Sequence, residues 1–166
     1  MKKICIALMI LMLLSASAFA AEGALNSFST FNMKGEPVTQ AIFADYDLTM
    51  VNVWTTYCKI CIYEMPELER LRTMLPENVN LITICNDASV SPVKAYQILE
   101  YAGANFETLF GTQEIYDQFL YQVVATPTTF FLDSEGTPVG EEIIGIPSTE
   151  DIAETYLGVI HEILES

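Results

Sequence analysis

The chain has 166 residues, 51% of them hydrophobic, with 22 acidic side chains against seven basic ones and a formal net charge of −15. Such a balance repels nucleic acid and anionic lipid and favours solubility, so a nucleic-acid partner is excluded. An acidic surface of this kind names no other partner by itself.

The first twenty residues read as an export signal. Lys2 and Lys3 form a short basic segment, Ile4 to Leu14 is a continuous apolar run, and Ala18-Phe19-Ala20 is an A-x-A cleavage site that makes Ala21 the new N-terminus. The run is shorter than the about 20 residues of a spanning helix, so an uncleaved N-terminal membrane anchor is the alternative. Cys5 lies too near the start for a lipoprotein site and leaves with the signal. Residues 21–166 have the length of one domain and enough chain to bury a core without staples. Without Lys2 and Lys3 the seven basic residues fall to five against the same 22 acidic ones, a net charge of −17.

In chain order, Phe28 to Thr39 reads as a β-hairpin with Lys34-Gly35-Glu36-Pro37 at its turn. Leu48 to Trp54 is an apolar, β-rich run suited to a central strand. After Cys58, Ile62, Met65, Leu68, Leu71 and Leu75 recur at helical spacing until Pro76-Glu77-Asn78 breaks the pattern. Val79 to Cys85 is a second buried strand. Ser91 caps a helix with Pro92 in its first position, and Gly103 ends it after Ala102. A short helix spans Gln113 to Tyr121. Thr128 to Leu132 is a strand, Asp133-Ser134-Glu135-Gly136 a turn, and Thr137 to Ile146 its antiparallel return. Ser148 or Thr149 caps a final helix to Leu164. Strands alternating with helices imply an α/β fold with a mixed central sheet flanked by helices and an N-terminal β-hairpin extension.

Three cysteines survive removal of the signal, and three cannot pair completely, so the close pair Cys58 and Cys61 reads as chemical rather than structural. Cys58-Lys59-Ile60-Cys61 stands where a strand passes into a helix. At a helix N-terminus the unpaired N–H groups and the helix dipole favour a thiolate, which is the nucleophilic form. Cys61, one turn on, lies within disulfide reach. The expected chemistry is attack by Cys58 on a disulfide and resolution of the mixed disulfide by Cys61. The same spacing serves zinc sites, but His161 and Cys85 are the only further nitrogen or sulfur ligands in the mature chain, so no metal is expected. Cys85 reads as a small buried residue with an inert thiol. Glu64 lies three residues past Cys61 and can approach it on the helix; burial would raise its pKa and suit it to proton transfer, the alternative being an ordinary exposed acid.

Two blocks resemble the TlpA/ResA-like family of extracytoplasmic thioredoxin-fold proteins. The first is Val51-Asn52-Val53-Trp54-Thr55-Thr56-Tyr57-Cys58-Lys59-Ile60-Cys61-Ile62-Tyr63-Glu64-Met65-Pro66-Glu67-Leu68, against N-x-W-A-T-W-C-x-x-C-x-x-E-M-P-x-L. The second is Tyr121-Gln122-Val123-Val124-Ala125-Thr126-Pro127-Thr128-Thr129-Phe130-Phe131-Leu132-Asp133, then Gly136. Tyr57 replaces the usual Trp, and Lys59-Ile60 replaces a proline-containing dipeptide. The resemblance implies a thioredoxin-like fold and a thiol–disulfide oxidoreductase with Cys58 and Cys61 as redox pair and no other cofactor. It implies Glu64 in the place of the buried Asp of thioredoxins, whose position is Asn52 here. It also implies a cis bond at Thr126-Pro127 facing the cysteines, with Thr126 and Pro127 docking the substrate. Trp54 and Tyr57 are expected to cover the disulfide and join that docking surface, plain core packing being their alternative. Protein disulfides outside the cytoplasm are the implied substrates, reductase the implied direction, and a membrane electron-delivery protein the implied partner. A peroxiredoxin-like peroxidase is the enzymatic rival, because Thr55-x-x-Cys58 imitates part of that motif, although Val51 stands in the place of its proline and no Arg follows Arg72. A non-catalytic binding or metal-carrier module on the same fold is the third reading; copper carriers resembling it use C-x-x-x-C and a distant His, both missing here.

Overall fold

The structure is a computed structural model that describes residues 23–166, so the expected signal, with Cys5, lies outside the described residues. Strands β1 (Ser29–Phe31) and β2 (Pro37–Thr39) form the expected antiparallel hairpin. Asn32 folds its turn: its Oδ1 accepts from the N–H groups of Lys34 and Glu36 at 3.0 and 2.8 Å, and Gly35 adopts φ +81°. Next come β3 (Leu48–Trp54), α1 (Lys59–Arg72), β4 (Val79–Cys85) and α2 (Pro92–Ala102). Both strands keep their expected bounds because turn residues flank them sharply. Helix α1 stops at Arg72, before Leu75, with Arg70 and Arg72 in its last turn where cations complement the helix dipole. Gly103 ends α2 in the left-handed conformation at φ +64°.

Strand β5 (Glu107–Phe110) is a correction to the expected order, which has no strand there. Four residues with half-buried ends are too short to display a period. Pairing defines this strand instead: it runs parallel to β4, while Thr30 Oγ1 donates to the Phe110 carbonyl at 2.9 Å. Helix α3 (Gln113–Gln118) is followed by a separate 3-10 turn, Leu120–Gln122, so the expected single helix to Tyr121 divides at Phe119.

Strand β6 (Thr128–Leu132) forms as expected, but its return does not. The stretch Thr137 to Ile146 pairs only through a bridge at Pro138 and through β7 (Ile143–Ile144). Pro138 lacks an N–H and Gly140 takes φ +72°, and together they interrupt the ladder. Helix α4 (Ile152–Glu165) is capped by Asp151 rather than Ser148 or Thr149. The Asp151 carboxylate accepts from Glu154 N–H at 3.0 Å and also pairs with Arg70, whereas Ser148 Oγ accepts from Glu150 N–H outside the helix.

The main sheet has the order β5-β4-β3-β6-β7, with β3 parallel to β4 and antiparallel to β6. It is the thioredoxin-like mixed sheet flanked by helices. Alternation along the central strands divides the core into two layers. Met50 and Trp54 of β3 and Phe131 of β6 pack with Met65 and Leu68 of α1, Ala95 of α2 and Tyr156 of α4. Val51, Val53, Phe130 and Leu132 point the other way, into a cluster with Phe28, Phe43, Ile115 and Phe119. Asn52 and Thr129 share the α1/α4 side because the β3–β6 register pairs them directly, and Thr83 and Thr108 continue this row of buried polar groups across β4 and β5.

Candidate active site

The end of β3, the first turn of α1 and the loop before β6 converge on Cys58. Cys58 is the N-cap of α1 and half-buried; Cys61 lies one turn along and is fully buried. The two are joined as a disulfide. Cys61 N–H donates to Cys58 Sγ at 3.1 Å, so the helix N-terminus directs a backbone donor at the sulfur that carries charge after reduction. Thr126 comes from the facing loop, across a cis Thr126-Pro127 bond, and its carbonyl oxygen lies 3.3 Å from Cys58 Sγ. An oxidised sulfur has no proton to donate, so this is a contact in the disulfide form and becomes a hydrogen bond only in the thiol form. Pro127 is itself buried and its carbonyl accepts from Gly145 N–H at 2.8 Å. The loop therefore presents Thr126 outward rather than the proline ring.

The two aromatic residues expected at the docking surface separate. Tyr57 is 73% exposed beside Cys58. Trp54 is fully buried, with Nε1 donating to Thr83 Oγ1 at 3.2 Å, so it supports the site from below and offers no face to a substrate. That is a correction, and its cause is that β3 is a central strand with a core layer on each face. Ile60 and Val124 are exposed apolar residues next to Cys61 and to the Thr126 loop.

Behind the disulfide, Glu64 is fully buried on α1. Tyr156 Oη donates to Glu64 Oε1 at 2.6 Å, and Asn52 Nδ2 donates to Glu64 Oε2 at 3.2 Å. Asn52 Nδ2 also donates to Thr129 Oγ1 at 3.0 Å, and Thr129 Oγ1 lies 2.9 Å from Tyr156 Oη. Burial raises the Glu64 pKa from 4.5 to about 7, against the lowering effect of the bonds from Tyr156 and Asn52. Glu64 is thus a carboxyl that can change protonation near neutral pH, three residues past Cys61 on the same helix. Taken together, a half-exposed sulfur with a backbone donor, a buried second sulfur and a buried titratable acid are suited to dithiol–disulfide exchange.

The sequence profile of the AhpC/TSA family matches residues 21–137. The chain belongs to the AhpC/TSA family. Among curated proteins it is similar to the thioredoxin-like protein YneN of Bacillus subtilis, 27% identical over 88 residues. That match covers 52% of this chain, and the chain spans about half (51%) of that relative's length. Among solved structures it resembles a thiol:disulfide interchange protein of Chlorobium tepidum TLS at 23% identity and TM-score 0.65, covering 85% of this chain and 98% of that one. It also resembles a secreted Mycobacterium tuberculosis disulfide oxidoreductase homologous to E. coli DsbE, at 21% identity and TM-score 0.61, covering 80% and 96%. At these identities the structural likeness establishes the fold.

The site of this AhpC/TSA-family chain contains residues that sequence reading does not single out. Asp87, just past β4, accepts from Thr56 N–H at 2.8 Å and from Thr56 Oγ1 at 2.6 Å, and so ties down the loop before Cys58. Thr129 and Tyr156 complete the buried network, and Tyr156 lies beyond the family match, on α4. A Tyr within the apolar stripe Ile152, Tyr156, Ile160 carries no sequence signal that separates it from core packing. Cys85 is buried and its thiol is pushed up well above the ordinary range by burial and by the nearby Asp87 carboxylate. His161 is exposed on α4, away from this layer.

Proposed function

We propose that this chain is an extracytoplasmic thiol–disulfide oxidoreductase that reduces protein disulfides. The observation that carries the reading is the contrast between half-exposed Cys58 and fully buried Cys61, backed by the titratable Glu64. The Cys58 thiolate attacks one sulfur of a substrate disulfide; that S–S bond breaks, a Cys58–substrate disulfide forms, and the released substrate thiolate takes a proton. Cys61 then gives its proton to Glu64 and attacks Cys58 Sγ, which breaks the Cys58–substrate bond, forms the Cys58–Cys61 disulfide and releases the second substrate sulfur as a thiolate that takes a proton from solvent. Two electrons pass to the substrate, and a membrane electron-delivery protein restores the dithiol.

Exposed Tyr57 and Ile60 flank Cys58 in the chain and exposed Val124 lies two residues before Thr126, whose carbonyl meets Cys58 Sγ, which supports docking of an extended protein segment there. The absence of a His between the cysteines favours a reducing rather than a strongly oxidising pair. Export rests on residues 1–20, read as a signal removed before Ala21, and agrees with the secreted relative from M. tuberculosis.

Insulin reduction driven by dithiothreitol tests the reading. The chain accelerates it, Cys58→Ser abolishes the acceleration, and peroxide added with dithiothreitol is consumed no faster than in the blank. Rapid peroxide consumption without insulin reduction would assign the site to the peroxidase reading. Residues 1–20 fused to a reporter active only outside the cytoplasm give signal if the export reading holds and none if it fails.

A further inference from the structure

The donors around Glu64 have a direction. A tyrosine hydroxyl holds one proton, and with Glu64 ionised that proton must go to Oε1 at 2.6 Å, because a carboxylate only accepts. Tyr156 Oη is then left as an acceptor for Thr129 Oγ1–H at 2.9 Å. Thr129 Oγ1 in turn accepts from Asn52 Nδ2 at 3.0 Å, and the second Nδ2 proton goes to Glu64 Oε2 at 3.2 Å. Every proton in the circuit Asn52–Thr129–Tyr156–Glu64 therefore points toward the carboxylate. Asn52 on β3 and Tyr156 on α4 donate to Glu64, Thr129 on β6 joins those two, and Cys61 stands three residues before Glu64 on α1 itself. The circuit is complete for the charged form, and the buried hydroxyls beside it, Thr83 and Thr108, bond each other and Trp54 instead.

A protonated Glu64 presents a donor where Asn52 and Tyr156 also present donors, so protonation needs one of them to turn. Asn52 Oδ1 is buried without a hydrogen-bond partner, so the amide holds a spare acceptor. Turning the amide over would bring that oxygen to the carboxyl proton.

We propose that Tyr156 is a positioning residue for the exchange reaction: its hydroxyl, committed by Thr129, favours the ionised, proton-accepting form of Glu64 near Cys61. This rests on the reading of Glu64 as the acceptor of the Cys61 proton and adds a residue on a distant helix that sets the acceptor's readiness. Tyr156 touches neither substrate nor sulfur and acts only through Glu64. Removing the hydroxyl deletes one charged hydrogen bond from the ionised form and leaves the neutral form with one donor fewer to accommodate, so Glu64 holds its proton to higher pH.

The test is Tyr156→Phe in the full-length chain, followed by the 13C carboxyl titration of Glu64 and by the pH profile of insulin reduction. The Glu64 midpoint and the rising limb of the rate profile both move up by about one pH unit. At pH 6 to 7 the exchange rate falls several-fold, and it recovers as pH rises past the shifted midpoint. Thr129→Val, which frees the Tyr156 hydroxyl without deleting it, shifts both in the same direction by less. Thermal melts of the oxidised proteins show that both variants are folded.

An unmoved Glu64 midpoint in Tyr156→Phe overturns the proposal and leaves Tyr156 as packing. A shifted midpoint with an unmoved rate profile also overturns it, because Glu64 readiness then does not govern exchange. Glu64→Gln separates the two readings. If it leaves the rate profile intact, the proton-acceptor role itself fails. If it removes the inflection while Tyr156→Phe does not shift it, only the positioning role fails.

Discussion

Burying a carboxyl that titrates near neutrality has a thermodynamic consequence that can be measured without any activity assay. Glu64 is fully buried, and its pKa rises from 4.5 to about 7, with burial as the largest cause. At about 1.4 kcal/mol per unit, a shift of that size corresponds to roughly 3 kcal/mol of folding free energy. The sign follows from proton counting. Between the unfolded and folded midpoints the folded chain holds the Glu64 proton and the unfolded chain has lost it. Stability is therefore full below about pH 4.5 and declines as pH rises through about 7, where the folded state must ionise a buried group. Glu64→Gln removes that dependence while leaving Tyr156 an acceptor, and Asn52 Oδ1, unpartnered in the native network, can accept from the new amide. Denaturant melts of the oxidised proteins between pH 5 and 8.5 give the difference directly. The Glu64→Gln variant gains on the native protein by about 2 to 3 kcal/mol from the acid to the alkaline end. A difference that stays flat within about 0.5 kcal/mol would show that Glu64 titrates as an ordinary surface acid, and the buried-acid account would be wrong.

Two further outcomes follow from the surroundings of the disulfide. Asp87→Ala removes the acceptor for both Thr56 groups and loosens the loop before Cys58, at a cost of about 2 kcal/mol measured by urea melts; a loss below about 0.5 kcal/mol would mean that the loop is held elsewhere. Cys85 is buried and its thiol is raised by burial and by Asp87, so in the reduced, folded protein at pH 8 iodoacetamide leaves it unmodified while Cys58 reacts. Peptide mass spectrometry reads this out, and early alkylation of Cys85 would contradict its placement.

The parts of the fold that sequence makes plain are those whose cause is local. β3 and β4 are apolar runs closed by turn residues, and α2 carries its proline start and glycine stop. Hairpin β1–β2 is marked by its turn. Features decided by partners are the ones missed. β5 exists through β4 and the hairpin, and α4 takes Asp151 as its cap because that carboxylate also meets Arg70 from α1. The site divides the same way. Cys58, Cys61 and Glu64 share one helix, so their spacing is visible in the sequence, and Thr126-Pro127 stands out through the motif it resembles. Trp54 ends β3, and whether that end of the strand is covered or open to substrate depends on Thr83 and the helices packed over it, which no local pattern shows. Tyr156 joins Glu64 across 92 residues, and Thr129 joins Asn52 across 77, separations at which no local pattern exists.

The central claim is a division of labour: Cys58 attacks and Cys61 resolves. The most direct measurement is trapping with Cys61→Ser, in which the reduced variant is mixed with a disulfide-bonded protein substrate and the products are separated without reductant. A substrate adduct on Cys58 that accumulates with Cys61→Ser, is absent with Cys58→Ser and is released by dithiothreitol is the predicted result. An adduct that forms equally well with Cys58→Ser, or no adduct with either variant, would contradict the account.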